Sequence, residues 1–451
     1  MSSLLWLRRD LRRLDLPALG AARDEGGPVA VAFVVDPRLW NAAGAVRRAW
    51  VAANVLAVAE RFDQQLVLRV GNPAEVLPAL VSQLEVGGVH VSAETTPYGA
   101  ARDAEVERAL SVPLVRTGSP YAVGPGLVRN GTGGRYKVFT PFSRAWRERG
   151  WPDPAPEVRA LELVEAGSGN EQRHAEKLLR DAVADCPIEL PAAGEEAARR
   201  RWREFLDERL DAYAGARDNP AVPGTTGLSP YLKVGAIHPR TMLADLAGEQ
   251  AEGARTLRDE IAWREFYADV VHHEPNSAWR DLRPLGIEYD DPRDAAGLVQ
   301  AWREGRTGFP IVDAGMRQLA ATGWMHNRVR MITASFLTKD LHLWWPVGAR
   351  HFLDLLIDGD LASNNHGWQW VAGTGTDASP YFRVFNPVTQ GLRFDPNGDY
   401  VRRWVPELAG LAGKAAHEPW KHGGSPGYPE PIVDHAQERA ESLERYGRRS
   451  G

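Results

Sequence analysis

Cysteine is almost absent. The 451 residues include one, Cys186, which excludes an internal disulfide and any multi-cysteine metal cluster and fits a reducing compartment. Cys186 itself reads as a small buried side chain. Long hydrophobic runs are missing too: no stretch approaches the ~20 apolar residues needed to span a bilayer. The opening LLWLRRDLRR lacks the apolar core and small-residue cleavage site of a signal peptide, so a cytoplasmic protein with no membrane partner is expected. Nor is there an excess of positive charge. A formal net charge of −5 argues against wholesale coating of nucleic acid, although a basic patch on one face can hold DNA on an acidic protein. The N-terminal part has no G-x-G-x-x-G and the chain no Walker sequence, so a nucleotide cofactor is not held in the Rossmann manner. There is no internal repeat.

Tryptophan, by contrast, is plentiful, with 16 residues. Most should be core, since indoles bury large apolar area; a minority can stack on other rings or relay electrons. Over roughly the first 120 residues, β-rich runs (Leu4–Leu7, Val29–Val35, Gln65–Val70, Val89–Ala93, Leu114–Arg116) alternate with Ala-rich helical stretches, the signature of a doubly wound parallel sheet. From Val123 to Pro156 the breakers GPG, GTGG and WPDPAP are too dense for regular elements. From about Gly194 helical periodicity takes over. The resulting division is an α/β domain over 1–125, a linker over 126–195 and a larger all-α domain over 196–451.

Three places carry chemistry-bearing residues. Thr225, Thr226, Gly227, Leu228 and Ser229 precede Pro230, which can open a helix, so hydroxyls and free amides converge as phosphate requires; an ordinary helix cap explains the same residues. Asp358-Gly359-Asp360, Ser363-Asn364-Asn365 and Trp368-Gln369-Trp370 put carboxylates, amides and indoles into one stretch. Trp368 and Trp370 face the same way if that stretch is extended and diverge if it is a helix; a capped helix with core tryptophans is the plainer alternative. Arg317, Arg328, Arg330, Lys339 and Arg350 stand against one acid, Asp340, interleaved with Trp324, Trp344 and Trp345. That is either a phosphate-facing patch or a solvated helix face.

Taken in order, WLRRDLR (Trp6–Arg12), TTGLSPYL, AWREFY (Ala262–Tyr267), FPIVDAGMRQL (Phe309–Leu319), GWMHNRVRM (Gly323–Met331), DGDLASNNHGWQW (Asp358–Trp370), PYFRVFNP (Pro380–Pro387) and HEPW (His417–Trp420) resemble the photolyase/cryptochrome family, specifically its microbial class I cyclobutane pyrimidine dimer photolyases. The resemblance covers nearly the whole chain. It implies a Rossmann-like antenna domain and a helical domain binding FAD and DNA, with FAD active in its reduced anionic form. Tyr213 and Thr225 to Ser229 would hold the phosphates and neighbouring parts, and Asp358, Gly359 and Asp360 would face the flavin and ribose. Asn364 stands beside flavin nitrogen-5, where plant cryptochromes carry aspartate and animal ones cysteine, and Arg330 paired with Asp358 adds positive potential. For a flipped pyrimidine dimer in UV-damaged DNA, the resemblance implies Glu260 hydrogen-bonding a base, Trp263 and Trp370 packing against it, Asn327 donating to carbonyls and Met331 at the rim. Arg217, Arg264, Arg328 and Arg383 would meet phosphates. Burial of Glu260 against aromatics is expected to raise its pKa. No metal is required, and a monomer, nucleoid-associated when on DNA, is expected.

The chain departs from the family pattern twice. Trp368 and Trp345 match the inner members of the tryptophan relay that photoreduces FAD in many relatives. The surface member falls on GIEYDDPRD, with Pro292 at the ungapped position and Tyr289 nearby. Tyr289, another tryptophan or a shortened relay are the alternatives, with Trp344 read as packing. The glutamate of folate binders, ahead of Arg102-Asp103, is replaced by Gly99, an arrangement resembling relatives that hold 8-hydroxy-5-deazaflavin. Folate, a second flavin or no antenna are the alternatives. The rival functions are a cryptochrome-type blue-light photoreceptor without repair activity, a general electron-transfer flavoprotein and a structural DNA-binding protein.

Overall fold

The computed structural model describes residues 2–378 and 383–447. Pro380–Phe382 of the PYFRVFNP block and Arg448–Ser450 of the C-terminal charged stretch lie outside them. The chain packs as two units, residues 1–211 with 226–275, and 212–225 with 276–451.

The first unit is built on five parallel strands, β1 (Ser2–Leu7), β2 (Val29–Val35), β3 (Leu66–Val70), β4 (Val86–Val91) and β5 (Leu114–Arg116), in the order β3-β2-β1-β4-β5. In β1, Leu4 stands opposite Ala30 of β2 on one side and Val89 of β4 on the other. Every residue of β2 (VAVAFVV) is buried, as expected for a parallel sheet covered on both faces. Helices α1 (Pro17–Asp24), α2 (Ala45–Arg61), α3 (Pro73–Leu84) and α4 (Pro97–Ala109) alternate with the strands. Strand order reverses at β1, so the crevice at the C-terminal ends of β1 and β4 is the topological switch point where doubly wound sheets bind ligands.

The stretch read as a linker holds two regular helices, α5 (Phe139–Arg149) and α6 (Asn170–Ala184). Short amphipathic runs survive between the breakers because Phe142 and Trp146 in α5, and Ala175 and Leu179 in α6, have core to enter. Cys186 is half-buried rather than buried. Helices α7 (Glu195–Glu208), α8 (Ser229–Val234) and α9 (Glu252–His273) also belong to this unit, so packing cuts across the helical domain expected from periodicity alone.

The second unit is helical. Around one core that includes Trp302, Phe309, Leu319, Phe336, Trp345, Phe352 and Trp368 stand α10 (Pro310–Thr322), α11 (Asn327–Ser335), α12 (Pro346–Leu355), α13 (Leu361–Ala372) and α14 (His435–Gly447). A π-helical turn, Phe336–Asp340, follows α11 directly.

Candidate functional site

The DGD stretch resolves the choice left open above in favour of a capped helix. Asp360 is the N-cap of α13, and its side chain accepts from the Ser363 amide at 3.0 Å. Trp368 and Trp370 therefore diverge, Trp368 buried and Trp370 half-buried. Asp360, Asn364 and Trp368 recur at four-residue intervals and share one helix face. The neighbouring face is pinned: Gln369 Oε1 accepts from the Leu282 amide at 2.8 Å, Gln369 Nε2 donates to Ser277 O at 2.7 Å, and Asn365 donates to Ala278 O. The sequence shows these two amides in a polar stretch but not their anchoring role, since their backbone partners lie far away along the chain.

Beside the start of α13, Arg330 of α11 donates to Asp358 at 2.8 Å, the carboxylate side chain being 3% and the guanidinium 23% exposed. Asn364 uses its N–H groups on Ala349 O and Asn365 Oδ1, at 3.1 and 2.8 Å, which turns its carbonyl oxygen over to other donors. Trp368 packs edge-on against Phe352 and Trp302, with centroids 5.0 and 6.1 Å away. Gly348 of α12 permits this, because a Cβ there would stand 2.1 Å from the indole. A half-buried cation, an amide with a spare acceptor and a buried indole suit a redox-active ring whose charge changes.

Trp345 is fully buried and belongs to the same core. Its indole N–H donates to Asp281 Oδ1 at 2.7 Å, and the Trp344 N–H reaches the same oxygen at 3.2 Å. Trp344 packs edge-on against Trp345, as read from the sequence, but remains 38% exposed. Tyr289 is half-buried, and desolvation, then the neighbouring Tyr446 and Asp281, push its phenol well above the ordinary range.

Elsewhere in this unit Arg217 lies over the Tyr213 ring at 5.7 Å. Arg328 is held by Asp218 at 2.8 Å, lies over Phe394 at 4.5 Å and reaches Met331 Sδ at 3.7 Å. Asn327, first residue of α11, is exposed, and so is Arg383. The structure thus brings Arg328 and Met331 together, while Asn327 and Arg383 face solvent.

In the first unit, Glu260 and Trp263 stand one turn apart on α9, both half-buried. Glu260 is therefore not the buried acid expected. That place belongs to Glu265, which accepts from the amides of Ala122 and Val123 and from Trp146 Nε1, and which desolvation pushes up to about 7. Its signal was present in the sequence: Leu257, Ile261 and Glu265 follow each other at four-residue spacing, placing a charge on the apolar stripe. One face of Trp263 is stacked on Phe139 at 3.8 Å. Arg264 is committed to Pro120 O, Leu232 O and the Tyr121 ring rather than presented to phosphate. Thr226 Oγ1 accepts from the Leu228 amide at 3.2 Å, and Pro230 sits in the first turn of α8. Gly227 adopts φ +63°, and a Cβ there would meet Arg201 at 2.4 Å.

The switch-point crevice carries a charged network. Arg8 donates to both oxygens of Asp103, at 2.9 and 2.8 Å, and Arg102 to one of them. Arg8 and Arg102 both lie over the Trp6 ring, at 4.5 and 4.8 Å. Glu94 is held down to about 2 by Arg9, the Thr96 amide and Arg102, against the opposing pull of burial. Gly99 has a physical reason as well, since a Cβ there would lie 2.1 Å from Glu94 Cγ.

Comparison with known proteins accounts for this arrangement. Residues 3–160 match the family model described as DNA photolyase, and residues 257–448 the model described as FAD binding domain of DNA photolyase. The chain belongs to the DNA photolyase family, and its C-terminal part is a FAD-binding domain. Similar curated proteins named deoxyribodipyrimidine photo-lyase include those of Vibrio cholerae, 40% identical over 98% of both chains, and Escherichia coli, 39% identical over 98% of both. Among solved structures, a bacterial class III photolyase from Agrobacterium tumefaciens is 35% identical with a TM-score of 0.88, covering 99% of this chain and 97% of that one. An archaeal photolyase from Sulfolobus tokodaii with two FAD molecules is 27% identical with a TM-score of 0.84, covering 99% and 100%.

Proposed function

We propose that this protein is a class I photolyase that repairs cyclobutane pyrimidine dimers in DNA in a light-dependent reaction. The observation that carries the reading is the face of α13 bearing Asp360, Asn364 and Trp368 beside the Arg330–Asp358 pair. Bound in its reduced form, FAD supplies the light-driven electron that opens the cyclobutane ring and receives it back. The protein's own part is to hold and tune. Arg330 keeps positive potential near the site, Asp358 fixes that guanidinium, and the Asn364 carbonyl offers a neutral acceptor. Tyr213, Thr225 to Ser229, Gly359 and Asp360 complete the proposed cofactor set. Thr226 and Gly227 support it, being shaped as a tight turn ahead of α8.

For the substrate, Glu260 offers a carboxyl to a dimer base, and Trp263 and Trp370 offer half-buried rings. Asn327 offers an exposed amide, and Met331 a flexible thioether beside Arg328. Arg217 and Arg383 are the proposed phosphate contacts. Arg328 and Arg264 join them only by giving up Asp218 and the carbonyl partners respectively. Extrusion costs less for a dimer than for intact bases, because dimerised bases stack and pair poorly. Trp368 and Trp345 are the proposed inner members of a relay that restores reduced FAD, with Tyr289, close to Pro292 at the position of the third member, as one candidate for its outer end. The antenna reading rests on Gly99 and the Arg8–Asp103–Arg102 network and favours 8-hydroxy-5-deazaflavin. The second FAD of the Sulfolobus tokodaii protein makes a flavin antenna the alternative to test.

The test is repair of a thymine-dimer oligonucleotide by the reduced protein, in light and in darkness, followed by chromatography. Light-dependent return of intact thymines is expected. FAD binding without repair would favour the photoreceptor reading, for which the 25% identical Synechocystis cryptochrome of TM-score 0.88 supplies the precedent in fold. Absence of FAD would overturn both.

A further inference from the structure

We infer that Trp344, tethered with Trp345 to the single carboxylate of Asp281, is the solvent end of the electron path that begins at Trp368 and Trp345. The inference rests on the flavin-dependent reading above and gives a role to a residue that the sequence alone suggests is packing.

An electron path from solvent to a buried ring needs a last member that solvent can touch. Trp368 is 3% exposed and Trp345 not at all, whereas Trp344 is 38% exposed. The Trp344 and Trp345 rings are neighbours, with centroids 6.3 Å apart and planes at 68°. Both indole N–H groups end on Asp281 Oδ1. A carboxylate accepting from both rings favours positive charge on either, and more strongly at the buried ring, where the effective dielectric is lower. Asp281 is thus a positioning residue that fixes the two rings and makes each easier to oxidise.

Tyr289, the alternative exit, is poorly suited to the task. A phenol that gives up an electron also gives up its proton, and here burial and the neighbouring Tyr446 and Asp281 all oppose proton loss. An indole carries the charge with its N–H in place, so Trp344 needs no proton acceptor.

The proposed step is a one-electron exchange in which no bond forms or breaks. Trp368 gives an electron to the light-excited oxidised flavin and takes one back from Trp345. Trp345 takes one from Trp344, whose N–H stays on Asp281. A soluble thiolate then returns one electron to Trp344 and leaves as a thiyl radical.

The experiment is blue-light photoreduction of the oxidised holoenzyme with a thiol donor, alongside transient absorption of the tryptophan radical. Trp344→Phe should lower the photoreduction rate about tenfold, equivalent to about 1.4 kcal/mol in a barrier, and make the radical's decay independent of thiol concentration. Tyr289→Phe should leave both readouts as in the unmodified protein. Asp281→Asn keeps a hydrogen-bond acceptor but removes the charge. It should slow photoreduction by a smaller factor that shrinks as salt screens the half-exposed carboxylate. Unmodified kinetics in Trp344→Phe would overturn the assignment, as would a loss confined to Tyr289→Phe. If the unmodified protein binds FAD, repairs dimers and photoreduces, such a result overturns the exit alone. If it binds no FAD, the flavin reading falls and the exit with it.

Discussion

Helix α9 in the first unit and helix α13 in the second each present proposed site residues on one face and pin the other to distant backbone, yet they pin with opposite chemistry. On α9 the anchors are carboxylates: Glu265 takes the amides of Ala122 and Val123 and the Trp146 indole N–H, and Asp269 takes the Gly126 amide at 2.7 Å. On α13 they are amides, Asn365 and Gln369, which meet the backbone of Ser277, Ala278 and Leu282. A carboxylate can satisfy several N–H groups at once but changes character with pH. A side-chain amide donates and accepts together and does not titrate. Burial raises the pKa of both α9 carboxylates, Glu265 to about 7, so the α9 anchor should respond to pH where the α13 anchor does not.

The largest effect is expected from the amide side. Gln369 is fully buried and satisfies one N–H and one carbonyl. Gln369→Leu orphans both groups, at about 1–3 kcal/mol each, so a loss on the order of 3–5 kcal/mol is expected in denaturant melts. The comparison adds a sharper requirement, that the loss be the same at pH 5.5 and pH 8. A pH-dependent loss would break it.

Glu265→Gln is the matching change on α9 and should be smaller at neutral pH. The carboxyl sits at about 7 in the folded chain against 4.5 ordinarily. Between those values the folded state keeps a proton that the unfolded state releases. The Glu265 contribution is therefore fully present below pH 4.5 and declines as pH rises through 7, by an amount on the order of 3 kcal/mol. Glutamine does not titrate but turns an NH2 group toward backbone donors. The substitution should thus cost most near pH 4.5 and least above pH 7, read as the difference between the two proteins' unfolding free energies at each pH. A constant difference would mean that Glu265 does not titrate in this range.

How much of this was legible follows from where each partner lies. The five strands were readable because buried parallel strands are nearly continuous apolar runs, and β2 has no polar residue at all. The long helix α9 announced itself by periodicity. Helices α5 and α6 were hidden by flanking Gly and Pro, and what buries them lies far along the chain, as where Trp146 donates to Glu265 and Phe142 packs on Phe266. Helix α13 was obscured by Gly, Asn and Ser in its first turns, which suit loops as well as caps. Asp358, Asp360, Arg330 and Asn364 stood out in the residue pattern and took their roles from the family resemblance, and the Arg330–Asp358 pair is present as expected. Asp281 was missed, and Asn365 and Gln369 were noted without a role, because their importance lies in what they touch. Nothing in the sequence near Asp281 announces two indoles arriving from residues 344 and 345.

The smallest expected effect concerns how the α13 face is kept in register. Asp360 accepts the Ser363 amide through its side chain and the Asn364 amide, at 2.9 Å, through its carbonyl. Asp360→Ala removes only the first of these, a loss of about 1 kcal/mol for an N-cap. Asparagine caps nearly as well as aspartate, so Asp360→Asn should restore most of the stability while removing the charge. Because Asp360, Asn364 and Trp368 follow one another at single-turn intervals, fraying that starts at the cap reaches Asn364 before it reaches Trp368. Trp368 is moreover held by Phe352, Trp302 and the space left at Gly348. Asp360→Ala should therefore raise amide hydrogen exchange over the first turn of α13 while leaving the protection of Trp368 and Gln369 unchanged. Rescue of that exchange by asparagine would assign the effect to capping. Persistence of fast exchange in Asp360→Asn would show that the carboxylate's charge orders the first turn.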